Sequence, residues 1–175
     1  MKVTLETERL ILRSFKMGDA LDMYEGWTSD PEVTKYLSWD IHKNPEVTRN
    51  VLMKWITEYE KPERINFAIV LKNENKLIGG IDVVGYEGGV KGTPIIGYVL
   101  SRKYWGNGYM TEACKKLLSF LFKKGYNEIR IDALVENVKS NRVIEKCGGK
   151  YIETYDDVIL GKNVKVNKYI ISKQG

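Results

Sequence analysis

The sequence predicts an α+β fold, a single domain over residues 1–175 with a mixed central β-sheet and helices on both faces. A chain of 175 residues is long enough to build one hydrophobic core. Strand-like and helix-like segments follow in the order β-α-α-β-β-β-α-β-α-β-β, without internal repeats or a linker. The segment from 95 to 135 has the length of a strand–helix–strand crossover, so its two strands are expected to be parallel.

The first part of the chain is expected to hold one strand, two helices and then two strands. The segment around Leu10 and Leu12 alternates as a strand does, and the helix after it is expected to end before Pro31. Two β-branched runs separated by "NEN" have the pattern of a hairpin. The expected elements are a strand over 4–15, helices over 17–30 and 43–61, and strands over 65–72 and 76–86.

The second part of the chain begins with a glycine-rich loop, "GYEGGVKGTP", and continues as alternating strands and helices. Its long amphipathic helix is expected to end at Gly125, because glycine accepts the left-handed conformation that often closes a helix. The expected elements are a strand over 95–102, a helix over about 108–124, a strand over 128–135, a short helix over 137–149 and a terminal hairpin across Gly161.

The charge of the chain suits an anionic partner. The net charge is +5, which fits either a nucleic acid or a polyphosphate cofactor. The basic residues are scattered, however, and no helix-turn-helix, RNA-recognition or zinc signature accompanies them. A basic nucleic-acid-binding module therefore stays open as an alternative, and the sequence disfavours it.

Cysteine and histidine usage argues against several kinds of site. Two cysteines, Cys114 and Cys147, do not form a disulfide framework or a zinc site, and we interpret both as reduced packing residues. His42 is the single histidine, and we interpret it as a loop residue. No metal site is predicted.

The sequence shows no membrane or export signal. No apolar run approaches the roughly 18 residues that cross a bilayer. The first ten residues, "MKVTLETERL", carry charges where a signal peptide has an apolar core. We therefore expect a cytoplasmic protein without a membrane partner.

Two glycines one residue apart stand between a strand and the long helix, in "YWGNGYMTEA" (104–113). The N-terminus of a helix attracts anions through its unpaired N–H groups and its dipole. Gly106 and Gly108 remove side chains that would block a phosphate. Gly108 is followed by Tyr109 and Met110 rather than Lys-Ser/Thr, which excludes a nucleoside-triphosphate loop, and Thr111 weakens the match to a dinucleotide loop.

Three segments resemble the GCN5-related N-acetyltransferase (GNAT) superfamily, and the resemblance covers nearly the whole chain. "SRKYWGNGYMTEA" resembles its acetyl-CoA loop, with the pattern Gln/Arg-x-x-Gly-x-Gly/Ala, and "ENVKSNRVIEKCG" resembles its second cofactor segment. "TERLILRSF" and "IIGYVLSRKYWGNGYMTEA" together resemble the ribosomal-protein alanine N-acetyltransferase (RimJ/RimL-like) branch. Two departures are Lys103 in place of the usual Gln or Arg, and Gly149 where an aromatic residue usually packs.

The resemblance implies an acetyl-CoA-dependent N-acetyltransferase with acetyl-CoA as co-substrate. The pantetheine would pair with the backbone of Tyr98, Val99 and Leu100, with the N–H of Val99 facing the thioester oxygen. The loop residues that would hold the pyrophosphate, mainly through backbone N–H groups, are Lys103, Trp105, Gly106, Asn107, Gly108 and Tyr109. Asn137 would bind the pantetheine, with Asn141 helping from the next turn.

The catalytic residues are less fully specified by the resemblance. Many relatives protonate the leaving thiolate with a tyrosine, but Ile144 stands at that position here, and Ser140 matches the serine of the RimJ/RimL-like branch. A glutamate that often serves as general base is replaced by Ile95. The remaining candidates for the general base are Asp82 and Glu87, followed by Asp40.

The acceptor is expected to be a primary amine, either a protein N-terminus or a small-molecule amine. The aromatic residues of the first two helices are expected to be mostly core, with one or two lining an acceptor cleft. The resemblance also admits a homodimer. A CoA-binding protein of the same fold without turnover stays open as an alternative, because the usual tyrosine and glutamate are missing.

Overall fold

The computed structural model describes residues 3–174, in which eight strands form one mixed sheet. The strands are β1 (Leu5–Glu6), β2 (Leu10–Arg13), β3 (Asn66–Leu71), β4 (Lys76–Glu87), β5 (Thr93–Leu100), β6 (Glu128–Leu134), β7 (Lys150–Ile159) and β8 (Lys162–Ser172). The helices are α1 (Ala20–Met23), α2 (Pro31–Thr34), α3 (Pro45–Glu58), α4 (Tyr109–Lys123) and α5 (Val138–Lys146). Single 3-10 turns lie at Met17–Asp19 and Arg102–Tyr104, and a π-helical turn lies at Tyr24–Thr28.

The sheet has the order β1-β2-β3-β4-β5-β6-β8-β7. β5 and β6 are parallel, with Ile95 opposite Arg130 and Ile96 opposite Ile131. The pairs β1–β2, β2–β3, β3–β4, β6–β8 and β7–β8 are antiparallel. The predicted crossover and the α+β class with a mixed sheet are therefore confirmed.

Two predicted elements at the start of the chain are divided in the structure. The strand expected over 4–15 is interrupted by a turn at Thr7, whose backbone N–H donates to the carbonyl oxygen of Leu10 and whose hydroxyl oxygen accepts the N–H of Leu10. The helix expected to end before Pro31 instead gives way to α2, with Pro31 at its first position and the Asp30 side chain accepting from the N–H of Glu32. Proline suits a first helical position because its fixed φ is helical and its missing N–H has no helical partner there.

The contacts cluster into two compact units, and the first comprises residues up to 82 together with 98–113. Its core is built from β2, β3 and the early helices, and Trp27 is 1% exposed. Trp39, Trp55 and Trp105 pack against that core while keeping part of their surface accessible. Most aromatic side chains of the early helices therefore contribute to packing, as the sequence predicts.

The second unit comprises residues 83–97 and 114 onward. Its buried apolar residues include Leu117, Leu121, Ile129, Ile131, Ile144 and Ile171. Gly125 has φ of +102°, and it closes α4 as predicted. A Cβ atom at Gly149 would lie 2.5 Å from Cγ2 and 2.9 Å from the carbonyl oxygen of Ile144, which explains why no aromatic residue stands there.

No helix in the described part of the chain is both long enough and apolar enough to cross a membrane.

Candidate functional site

The Gly-x-Gly loop of the first unit has a backbone that only glycine adopts without strain. Gly106 and Gly108 have φ of +79° and +78°. A Cβ atom at Gly106 would meet nothing within 4 Å, so conformation rather than space requires glycine there. The carbonyl oxygen of Gly108 accepts the N–H of Glu112, which starts α4 directly after the loop.

Trp105 holds the start of the loop in place through two hydrogen bonds. Its backbone N–H donates to the carbonyl oxygen of Arg102 at 3.2 Å, and its indole N–H donates to that of Leu100 at 2.8 Å. Since the N–H of Trp105 is already used, the donors available to an anion begin at Gly106. The first N–H groups of α4, those of Tyr109 and Met110, have no partner within the helix because of helix geometry.

Asn107 holds the tip of the loop in place. Its side-chain amide donates to the carbonyl oxygens of Tyr104, at 3.3 Å, and of Trp105, at 3.1 Å. Its own carbonyl oxygen accepts Nη1 of Arg9 at 2.9 Å. Because Arg9 binds the carbonyl oxygen of Asn107, the side of the loop that an anion can approach is the one that carries the N–H groups.

An ion pair between Arg9 and Glu112 connects the turn before β2 to this loop. Glu112 accepts the Thr7 hydroxyl at 2.6 Å, the Arg9 backbone N–H at 2.9 Å and Arg9 Nε at 2.7 Å. The Arg9 guanidinium also lies 4.5 Å from the centre of the Tyr109 ring. Burial raises the pKa of Glu112, but the hydrogen bonds from Thr7 and Arg9 outweigh it and leave that pKa below its ordinary value.

Sequence reasoning identifies Glu112 as a carboxylate at the start of a helix and misses its partner Arg9. The two residues are 103 positions apart, and no local pattern joins them. Only the fold brings "TER" (7–9) and "TEA" (111–113) together, so the sequence carries no signal that could have found the pair.

The end of β5 has two backbone edges with different surroundings. The N–H of Ser101 donates to the carbonyl oxygen of Ile78 in β4, and the carbonyl oxygen of Val99 lies where a Cβ atom of Gly79 would be. Val99 therefore directs its carbonyl oxygen toward β4. Backbone groups alternate between the two edges of a strand, so those of Tyr98 and Leu100 face the other edge. This geometry favours Tyr98 and Leu100, rather than Val99, as donors along that second edge.

Lys103 lies in the 3-10 turn before the loop, with an exposed side chain. Its Nζ atom is 5.3 Å from the centre of the Tyr104 ring. Tyr104 itself is buried, and its hydroxyl donates to Glu74 at 2.8 Å. Burial and this hydrogen bond raise the pKa of Tyr104 to about 12. The Lys103 side chain thus lies against the ring of Tyr104 in the turn before the loop.

Asp82 ends the first-unit part of β4 beside polar groups. Its carboxylate lies 3.4 Å from the amide nitrogen of Asn66 and 3.7 Å from Nη1 of Arg64, and its side chain is 22% exposed. Burial raises the pKa of Asp82 to about 6, against the lowering effects of Arg64 and Asn66. A carboxylate with this pKa is largely ionised at pH 7 and still accepts a proton readily.

Glu87, in the second unit, has the opposite environment. One of its oxygens accepts Arg130 Nη1 and Lys168 Nζ, each at 2.9 Å. The Lys168 hydrogen bond and the Arg130 charge hold the pKa of Glu87 below its ordinary value. A carboxylate stabilised by two cations has little affinity for a further proton, so Asp82 is the better base of the two.

Asn137 caps α5 in the second unit. Its side-chain oxygen accepts the backbone N–H of Ser140 at 3.2 Å. Ser140 is therefore the third residue of the helix, one turn from Asn137, as the sequence predicts. The serine side chain thus projects from the first turn of α5.

Asn141 is saturated with hydrogen bonds inside the second unit. Its amide nitrogen donates to the carbonyl oxygens of Leu134, at 2.9 Å, and Asn137, at 2.8 Å. Its amide oxygen accepts Asn167 Nδ2 at 2.9 Å and the Tyr169 hydroxyl at 2.8 Å. Its polar capacity is used up by the cap of α5 and by β6 and β8, which favours a structural role.

Comparison with known proteins agrees with this architecture. A family model described as an acetyltransferase (GNAT) domain matches residues 9–150. An uncharacterised N-acetyltransferase named p20, from Bacillus licheniformis, is 33% identical, with coverage of 87% of this chain and 93% of the relative.

Solved structures extend the comparison to the whole fold. A GNAT-family acetyltransferase from Bacillus anthracis is 31% identical, with a TM-score of 0.85 and coverage of 97% of this chain and 98% of that chain. RimL, a ribosomal alpha-N-protein acetyltransferase solved in complex with coenzyme A, shares the fold at 18% identity, with a TM-score of 0.85 and coverage of 97% and 98%.

Proposed function

Because this chain belongs to the GNAT acetyltransferase family and is an acetyl-CoA-dependent N-acetyltransferase, we propose which of its residues perform each part of the reaction. Acetyl-CoA supplies an activated acetyl thioester, and the acceptor is a primary amine. The chain's own residues must bind the anionic co-substrate, polarise its carbonyl group and remove a proton from the amine. The observation that carries the proposal is the left-handed glycine loop at the start of α4.

The loop binds the pyrophosphate through the backbone N–H groups of residues 106–110. The positive φ angles of Gly106 and Gly108 suit a backbone whose successive N–H groups point to one concave side. The dipole of the 15-residue α4 favours negative charge at that side. Trp105 contributes by anchoring the loop, and Lys103 through its backbone. Asn107 both donates from its backbone and keeps the loop in shape.

The pantetheine pairs with the edge of β5 that faces away from β4. Tyr98 and Leu100 supply the backbone groups on this edge, and one of their N–H groups polarises the thioester carbonyl. Val99 contributes by holding β5 against Gly79 of β4. A strand edge suits this task because its donors are fixed before the ligand arrives.

Asp82 is the general base, acting on the amine directly or through a water molecule. Its raised pKa of about 6 is closer to that of an amine than the pKa of an ordinary carboxylate is. Glu87 is held ionised by Arg130 and Lys168, which supports a role in organising the second unit instead. The roles of Ser140 on the leaving thiolate and of Asn137 on the pantetheine stay predictions from the family resemblance.

The acceptor that fits this base best is a peptide α-amine. An α-amino group has a pKa of about 8, whereas an alkylamine such as lysine or a polyamine has one of about 10.4, further from the pKa of Asp82. The net charge of +5 also disfavours a polycationic acceptor. RimL is described as an alpha-N-protein acetyltransferase, which is consistent with this class. A cytoplasmic location and a homodimer stay predictions.

A panel of acceptors tests the proposal. Release of free thiol from acetyl-CoA is measured with N-terminal peptides, a polyamine and an aminoglycoside at the same amine concentration. We expect kcat/KM for at least one peptide to exceed that for the polyamine by about tenfold or more. Thiol release with the polyamine alone would contradict the peptide assignment, and acetyl-CoA binding without release on any amine would favour a protein without turnover.

A further inference from the structure

The two cysteines of the chain lie together in the second unit. Cys114 is in α4 with no exposed surface, and Cys147 follows the last residue of α5 and is 9% exposed. Cys147 lies beside Lys115 and Leu118 of α4, with which it lines one groove, and each thiol shifts the pKa of the other. Since the sequence contains two cysteines, any disulfide within one chain must join this pair.

The two thiols have different environments. A hydrogen bond from Cys114 lowers the pKa of Cys147, and the charge of Lys115 adds to the effect against the opposing effect of burial. The same hydrogen bond and complete burial raise the pKa of Cys114 well above its ordinary value. Cys147 is therefore the thiol that ionises first, and the thiolate is the reactive form.

A groove with a volume of about 450 Å³ gives access to Cys147. Its apolar lining includes Leu118, Phe122 and Ile171, and Lys115, Lys123 and Lys173 also line it. Gly148, which follows Cys147, lines the same groove and has no side chain to close it. A small oxidant can thus reach Cys147, whereas Cys114 lies behind it in the core.

We propose that Cys147 is a peroxide-oxidisable thiol and that Cys114 resolves it into an intramolecular disulfide between α4 and the end of α5. In the first step the Cys147 sulfur bonds to one peroxide oxygen, the O–O bond breaks, and the leaving oxygen takes the thiol proton. Cys147 is then a sulfenic acid. In the second step the Cys114 sulfur bonds to the Cys147 sulfur, the S–O bond breaks, and hydroxide leaves with the Cys114 proton as water.

The two steps balance. With hydrogen peroxide as the oxidant, the two thiols lose two electrons and two protons, and the peroxide is reduced to two molecules of water. A thiol reductant reverses the change. The proposal concerns the second unit alone, so it stands apart from the assignment of the acetyl-CoA loop.

The test is a thiol count on the whole protein before and after treatment with hydrogen peroxide, followed by denaturation, alkylation and mass spectrometry. We expect two alkylated thiols before treatment, none after it, and a cross-linked peptide joining Cys114 to Cys147. Dithiothreitol should restore both thiols. Two alkylated thiols after treatment, or a Cys147 sulfinic acid without the cross-link, would overturn the proposal.

Variants distinguish the attacking thiol from the resolving one. Cys114→Ala should retain a sulfenic acid on Cys147 that dimedone traps, and Cys147→Ala should leave Cys114 reduced at the same peroxide dose. Lys115→Gln should slow the oxidation several-fold, whereas its neighbour Lys116→Gln, which does not line the groove, should not. Equal rates for these two variants would contradict the role of the Lys115 charge in activating Cys147. The wild-type cross-link needs no variant, so a misfolded variant leaves that test intact.

Discussion

Asp82 shows how one half-buried side chain can be suited to proton transfer. Its pKa of about 6 arises mainly from burial, with Arg64 and Asn66 limiting the rise. The carboxylate must be deprotonated to act as a base, so activity is expected to be lost as the pH falls through this value. The sequence predicts Asp82 as a candidate base. It does not predict the burial of the Asp82 side chain, because polar and apolar residues alternate only weakly in this strand.

The pH profile tests this assignment. We expect kcat/KM to fall about tenfold per pH unit below pH 6, and Asp82→Asn to lower kcat about a hundredfold and remove that limb of the profile. Glu87→Gln serves as the matched carboxylate control and should keep both the rate and the limb. An unchanged profile in Asp82→Asn would show that another group is the base.

Arg9 is the residue that fixes the loop from a distance. Arg9→Ala removes the hydrogen bonds to Asn107 and Glu112, so the loop loses a support on its carbonyl side. We expect the KM for acetyl-CoA to rise about tenfold while kcat changes by less than about threefold, a cost of about 1.4 kcal/mol in binding. Steady-state kinetics with acetyl-CoA as the varied substrate measures this split.

Two further variants give the Arg9 prediction its controls. Lys35→Ala removes the same charge from an exposed pair with Glu32 in the first unit and should leave both constants unchanged. Arg9→Lys should recover part of the affinity, because lysine keeps the charge but loses the planar fork that reaches two acceptors. A fall in kcat alone would show that Arg9 does not act through the co-substrate.

The position of helix α5 depends on one buried side-chain amide. Asn141 makes four hydrogen bonds, of which three join the start of α5 to β6 and β8 and one reaches the cap residue Asn137. Asn141→Ala leaves several of these partners unsatisfied and is expected to cost about 3 kcal/mol of stability. Urea denaturation measures the loss.

The same variant separates structure from binding. The KM for acetyl-CoA in Asn141→Ala should stay within about twofold of wild type at a temperature where the variant is folded. Lys139→Ala, on the exposed side of the same helix, is the control for stability. A large rise in KM with little loss of stability would restore Asn141 to the cofactor site.

Elements with local signals could be predicted from the sequence, and those that depend on distant partners could not. The end of α4 at Gly125 follows from neighbouring residues and is confirmed. The turn at Thr7 that divides the first strand depends in part on Glu112, 105 positions away. No periodicity in the first 15 residues carries that information.

For the molecule as a whole, the sequence predicts the family and the mixed sheet because three motifs occur in order along one chain. It leaves open which edge of β5 each backbone group faces, since that depends on the close approach of Val99 to Gly79. It also leaves the base open, since Asp82 and Glu87 differ in their neighbours and not in their type. The electrostatic difference between these two carboxylates therefore arises from the fold.

Calorimetric titration of acetyl-CoA into Gly106→Ala and Gly125→Ala tests the claim that the glycine loop binds the co-substrate. Both glycines have positive φ and free space for a Cβ atom, so both variants should lose about 1–2 kcal/mol of stability. We predict that Gly106→Ala alone weakens acetyl-CoA binding, by about tenfold or more. Wild-type affinity in Gly106→Ala, or an equal loss in both variants, would contradict the claim.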